Sequence, residues 1–93
     1  IKEQSTVNTQ QPIIQLYPNP NNGTYTLDYT ISNEHNLQFI IYDALGRKLS
    51  VHQLESGNQT NFITESALND GLYFYKIIID NNVVYTDKLL IIK

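Results

Sequence analysis

Apolar and polar positions alternate most cleanly over residues 24–31, where Tyr25, Leu27, Tyr29 and Ile31 interleave with Thr24, Thr26, Asp28 and Thr30. A period of two puts alternate side chains on opposite faces of a strand, so this run predicts one buried and one wet face. Six further strand-like runs follow the same logic: 13–17, 37–43, 47–55, 59–65, 72–80 and 83–93. In the run over 37–43 the inward set is Leu37, Phe39 and Ile41. In the run over 47–55 the apolar positions shift from odd (Leu49, Val51) to even (Leu54), which predicts a bulge or bend. Residues 66–71, SALNDG, read as a compact crossing that tucks in Leu68. Asn81-Asn82 reads as a two-residue hairpin turn with positive φ. No segment has a helical period of useful length. Seven short strands with regular turn signals predict an all-β fold, an immunoglobulin-like seven-stranded antiparallel β-sandwich.

Residues 1–12, IKEQSTVNTQQP, lack apolar periodicity, end in a proline and read as a flexible linker or disordered lead-in, with the globular domain spanning 13–93. Between the first two runs lies the elbow LYPNPNNGTY. Pro18 and Pro20 cannot donate to a sheet ladder, and Asn19 precedes a proline. The stretch predicts a polyproline-like bend that ends the first strand, and Asn22-Gly23 supplies positive φ for the turn into the second. Such an elbow can also cap an exposed sheet edge against pairing with other chains.

Composition narrows the function. The 93 residues suit one core, and there is no cysteine for a disulfide or a thiolate metal site. The formal charge is −3, and of six scattered Lys and Arg only Arg47-Lys48 are adjacent. That is poor material for a phosphate-binding stripe, so nucleic acid is not an expected partner. No apolar run approaches the roughly 20 residues of a membrane-spanning helix. The chain starts at Ile1 without a methionine or signal peptide and reads as a piece of a longer protein. Few charges and many Asn and Thr suit an extracellular module.

Candidate chemistry is sparse. His35 and His52 are single histidines in or beside turns and polar faces and read as solvated. The serines lack a nucleophile-elbow context, and the carboxylates are too dispersed for a paired acid and base. Asp80-Asn81-Asn82 lacks the ligand count of a calcium loop. Asn22-Gly23-Thr24 and Asn58-Gln59-Thr60 match the N-glycosylation acceptor pattern, which comes cheaply in this composition. No cofactor is expected, and the chain is not expected to be an enzyme. Tyr73, just after a Gly turn and two residues before an inward Tyr75, has the placing of a corner tyrosine that bonds backbone across the crossing. Tyr25, Tyr29, Tyr73 and Tyr75 fall on inward positions, while Tyr42 and Tyr85 have no clear place.

The pieces LYPNPNNGTYTL, FIIYDALGRKL, LNDGLYFYKI and terminal KLLIIK, in that order, resemble the type A C-terminal sorting domain of the type IX (Por) secretion system of Bacteroidetes. The resemblance runs from about Ile14 to Lys93, which it makes the natural C-terminus. Its motif positions carry over as Tyr17, Pro18, Asn19, Pro20 and Gly23 in the elbow. Tyr42, Asp43, Gly46 and Arg47 follow at the turn after the third run. Gly71 and Tyr73 match the corner, and Lys88, Leu89, Leu90 and Lys93 the tail. Gly23, Gly46 and Gly71 are expected to supply turn backbone, and Asp43 and Arg47 to pair across their turn.

What the resemblance implies is a sorting signal that directs a cargo on the same chain across the outer membrane. The cargo is then secreted or held at the cell surface, and a surface sortase removes the signal within residues 1–12. The implied partners are the outer-membrane translocon and the sortase. The apolar chain end suggests an exposed edge with Lys88 and Lys93 facing the translocon, an edge that also lets the isolated domain form a homodimer. Two rival readings stand beside this one. An immunoglobulin- or fibronectin-like module for carbohydrate or adhesion predicts an exposed aromatic row or a calcium site. A passive spacer predicts that deletion harms cargo stability rather than location.

Overall fold

Seven strands form, in a computed structural model that describes residues 13–31 and 36–93. They are β1 (Ile13–Tyr17), β2 (Thr24–Ile31), β3 (Leu37–Tyr42), β4 (Lys48–Leu54), β5 (Gly57–Thr64), β6 (Gly71–Ile79) and β7 (Asn82–Ile91). They build a three-stranded sheet in the order β1-β2-β5 and a four-stranded sheet in the order β4-β3-β6-β7, with every pairing antiparallel. The two sheets bury one another's inner faces, so the expected sandwich forms. The expected linker over 1–12 and His35 lie outside the described residues.

The core follows the alternation. Tyr25, Leu27, Tyr29 and Ile31 of β2 meet Leu37, Phe39 and Ile41 of β3, Tyr75 and Ile77 of β6, and Leu89 and Ile91 of β7. The Tyr25 and Phe39 rings make an edge contact between the sheets at 6.2 Å, and Phe39 lies 5.4 Å from Tyr75. Leu68 packs against this core from the crossing, as expected. Tyr85, unplaced by sequence, packs there too, its ring 6.0 Å from that of Tyr75.

β4 stays beside β3 because the turn between them is tight. The Asp43 carboxylate accepts hydrogen bonds from the backbone N–H of Leu45 and of Arg47, both at 2.9 Å, while the Arg47 Nε donates to its other oxygen at 2.6 Å. Gly46 completes the turn at φ 87°, a left-handed conformation that suits glycine. The predicted bulge lies here: the β3–β4 register shifts between Ile41 and Tyr42, so Ser50 opposes Ile41, Lys48 opposes Tyr42 and Leu49 is skipped. Leu49 and Val51 therefore point outward, and Leu54 alone of the three packs on the core.

The last hairpin turns one residue earlier than expected, at Asp80 (φ 50°) and Asn81 (φ 70°), with Asn82 already in β7. Asp80 takes the first position because Asn36 holds it: the Asp80 N–H donates to the Asn36 carbonyl, and the Asn36 N–H to Asp80 Oδ1, both at 2.9 Å.

Candidate functional site: the elbow, the chain end and the outer face

Residues 18–20 form a compact bend, with Tyr17–Pro18 and Asn19–Pro20 both cis, rather than the polyproline-like segment expected. The bend lies against β7, the edge strand of the larger sheet. The Asn19 side chain donates to the Lys88 carbonyl at 2.8 Å and accepts from the Leu90 N–H at 3.0 Å. One step further the backbone of Asn21 takes over. Its N–H donates to the Leu90 carbonyl at 3.0 Å, and its carbonyl accepts from the Ile92 N–H at 2.7 Å. Asn21 is buried, and its side chain bonds the Pro18 carbonyl and the Gly23 N–H. The elbow thus serves as a short parallel partner for residues 88–92 of the edge.

This corrects the expectation of a free terminal edge. Facing away from β6, the Lys88 and Leu90 carbonyls and the Leu90 and Ile92 N–H groups are paired with the elbow, and the Lys88 N–H donates to Asp87 Oδ1 at 2.8 Å. The apolar end is also required by the sandwich itself, since Leu89 and Ile91 are core residues, while Leu90 is half-buried on the other face. Lys93 is likewise engaged: its N–H donates to Asp70 Oδ1 at 3.0 Å and its ammonium to the Ser66 carbonyl at 3.4 Å. Its stem covers Gly23, whose φ is 102° and where an added Cβ would come within 3.1 Å of Lys93 Cε.

The corner forms as predicted, with the Tyr73 hydroxyl donating to the Asn69 carbonyl at 2.7 Å. Gly71 differs from its expected turn role. It is the first residue of β6, near-extended at φ 159°, with the Tyr73 ring lying over it. Elbow, crossing and chain end therefore close into one knot, in which the Glu65 N–H also donates to the Gly23 carbonyl at 2.7 Å.

His52 is a second correction. The bulge turns it inward, where its ring stacks on Phe39 at 5.6 Å and Nε2 lies 3.1 Å from Glu65 Oε2. The same carboxylate oxygen accepts from the buried Tyr25 hydroxyl at 2.8 Å. Glu65 so ties β2 of one sheet to β4 of the other. Burial first, then the bond to Glu65, pushes the Tyr25 hydroxyl far above the ordinary tyrosine range. Nothing in the spacing of residues 25, 52 and 65 signals this cluster, because it depends on the bulge and on inter-sheet packing.

Of the other motif residues, Tyr42 and Lys88 lie on the outer face of the four-stranded sheet, with Asp43, Gly46 and Arg47 in the turn beside it. Lys48 of β4 opposes Tyr42 of β3, Tyr42 opposes Phe74 of β6, and Phe74 opposes Lys88 of β7. In the next row Lys76 lies between Ile40 and Thr86, with its ammonium 4.8 Å above the Tyr42 ring. A cleft of about 230 Å³ opens here between Tyr42, Gly46, Phe74 and Thr86. The opposite outer face carries Thr24, Thr26, Asp28 and Thr30 of β2, with Tyr17 and an 82% exposed Phe62 in one cross-strand row. Asp28 accepts from the hydroxyls of Tyr17 at 3.1 Å and Thr60 at 2.6 Å. Among the described residues no group of three or more His, Cys, Asp or Glu is arranged to hold a metal ion.

The domain is an all-β two-sheet sandwich in which the elbow pairs with the chain end and the two outer faces differ. The model of the secretion system C-terminal sorting domain family matches residues 15–93, and the chain belongs to that family. It is a C-terminal sorting signal for type IX secretion, which implies a cargo on the same chain, interaction with the type IX machinery, and export to the cell surface or beyond. No curated protein and no solved structure matches the chain.

Proposed function

We propose that the domain is read by the type IX machinery as a folded sandwich, acts by recognition rather than as an enzyme, and leads its cargo across the outer membrane. A surface sortase then cuts within residues 1–12, the polar stretch just upstream of β1. The observation that carries this reading is the knot. Motif residues distant in sequence, from Asn19 to Lys93, meet only in the folded chain. The cluster of Tyr25, His52 and Glu65 supports the non-enzymatic reading, since its polar atoms are spent on one another between the sheets.

The test is localisation. Residues 1–93 are fused behind a periplasmic fluorescent protein in a bacterium with type IX machinery, beside a translocon-deleted control. Reporter outside the first strain, trapped in the second, and shortened by about the mass of the domain is the expected result. Periplasmic reporter in both strains with the domain folded refutes it. That outcome favours the second reading, a binding module, for which Tyr17 and Phe62 in one outward row supply the exposed aromatics.

A further inference from the structure

The two outer faces differ in charge. Lys48, Lys76 and Lys88 share the outer face of the four-stranded sheet, with Arg47 at its rim. These are four of the six cations in a chain whose formal charge is −3. Asp43 lies at the rim, where Arg47 already holds it at 2.6 Å, and Asp87 lies at the edge of β7, where it accepts from the Lys88 N–H. Among the described residues, none of the three lysines has a carboxylate within ion-pair distance. The other outer face has no cation at all on β1, β2 or β5.

Folding does not require this arrangement. Like charges on one face repel, with Lys76 and Lys88 on the adjacent strands β6 and β7 and Lys48 across β3 from them, and the Lys76 contact with the Tyr42 ring at 4.8 Å offsets this for one of the three. Between them lie two aromatic rings and a cleft, so the face joins an apolar centre to an uncompensated positive rim. That is the anatomy of an interface whose partner supplies the opposite sign. The motif residues divide accordingly. Asn19, Gly23, Tyr73, Leu89 and Lys93 are engaged in the knot or the core, whereas Tyr42 and Lys88 point outward.

We propose that this face docks on an acidic protein surface of the type IX machinery; the proposal rests on the export reading above. Carboxylates of the partner meet Lys48, Lys76 and Lys88, and an apolar side chain enters the cleft beside Tyr42 and Phe74. The elbow then has a different task, to close residues 88–92 of the neighbouring edge so that docking there is through the face and not by strand addition.

The test uses the full 93-residue chain behind the same reporter. The K48Q/K76Q/K88Q variant removes three charges, and K48R/K76R/K88R keeps them. A control, I13E/T24E/F62E, makes the same charge change on the opposite face. Thermal unfolding is measured for each. Export of the glutamine variant is expected to fall about tenfold or more, and the arginine variant and the control to stay within about twofold of the parent. Detergent extracts of outer membranes from the wild-type and translocon-deleted strains are also passed over the immobilised chain. Translocon components, identified by their absence from the deleted strain, are expected to bind the parent, elute with salt, and not bind the glutamine variant.

A folded glutamine variant exported like the parent overturns the proposal. So does unaltered translocon capture by that variant. Loss of export with capture unaltered, and binding of the parent alone to phosphatidylglycerol vesicles, assigns the face to an anionic membrane and overturns it as well. If the glutamine variant does not fold, K48Q and K88Q singly are expected to lower export about two- to threefold each, and parental export of both overturns it. If the parent itself stays in the periplasm, the export reading falls separately, and capture without salt sensitivity then overturns the docking face.

Discussion

The side-chain oxygen of Asn19 accepts a hydrogen bond from the backbone N–H of Leu90, 71 residues later, at 3.0 Å. With its amide donating to the Lys88 carbonyl, one side chain imitates a stretch of partner strand against the edge of β7. An unpaired edge is a template for another chain, and covering it is one of the ways proteins avoid that hazard.

Asn19→Ala removes both bonds. At about 0.5–1.5 kcal/mol each, the domain is expected to lose roughly 1–3 kcal/mol of stability by denaturant unfolding. The edge also opens between residues 88 and 90. Sedimentation of the variant is expected to show self-association that the parent lacks, and a parental monomer would count against the capping role.

Gly23→Ala meets two obstacles, the left-handed φ of 102° and the Lys93 stem 3.1 Å from the new Cβ. The backbone alone costs about 1–2 kcal/mol for a residue with a Cβ. Adding Lys93→Ala relieves only the steric part, because the lysine stem is the flexible neighbour. The double variant is therefore expected to regain some, but not all, of the lost stability in thermal melts.

Tyr25, Glu65 and His52 share one carboxylate oxygen, so their contributions are not separable. Tyr25→Phe and Glu65→Gln are each expected to destabilise by about 1–3 kcal/mol. The double variant is expected to cost less than the sum by at least about 0.5 kcal/mol. Strict additivity in a double-mutant cycle would argue that the bond carries no coupling.

Asp43 is held below the ordinary aspartate range, first by the Arg47 backbone N–H and then by the Arg47 side chain and the Leu45 N–H. A carboxylate with a lowered folded pKa stabilises fully above its unfolded value, near 3.8, and loses that contribution as pH falls through the folded value. The β3–β4 turn is therefore expected to loosen on acidification below about pH 4. Hydrogen exchange at Leu45 and Arg47, compared with Asp43→Asn, reads this directly. Acid-insensitive protection in the parent would show that the turn stands without the charge.

At the alkaline end the sign reverses. Burial pushes the hydroxyls of Tyr25 and Tyr75 above the ordinary tyrosine value of 10.0. Tyrosines whose folded pKa is raised stabilise below the unfolded value and lose that contribution as pH rises past it. Absorbance titration is expected to show these two ionising only together with loss of the fold, whereas exposed tyrosines titrate before it.

Much of the fold was legible because burial in a sandwich writes a period of two into the chain. β2 shows it in full: every odd residue from Tyr25 to Ile31 is core, and every even one faces outward. Turns that need special backbone were legible at Gly23 and Gly46 for a local reason, the freedom of a residue without Cβ. His52 was misread because it is out of phase with the apolar Leu49 and Val51, and the bulge at Leu49 reverses which side of β4 faces in. The hairpin at Asp80 moved by one residue because Asn36, far away in sequence, selects it.

The sequence by itself determined the sandwich, the inward side chains of β2 and β3, the corner at Tyr73 and the family motifs. All of these rest on local periodicity or on one residue's backbone preference. Tertiary structure alone decided that the elbow pairs with β7, that Lys93 covers Gly23, and that Lys48, Lys76 and Lys88 gather on one face. Each of these depends on which strands become neighbours and in what register, and register is fixed only when the two sheets close on a shared core.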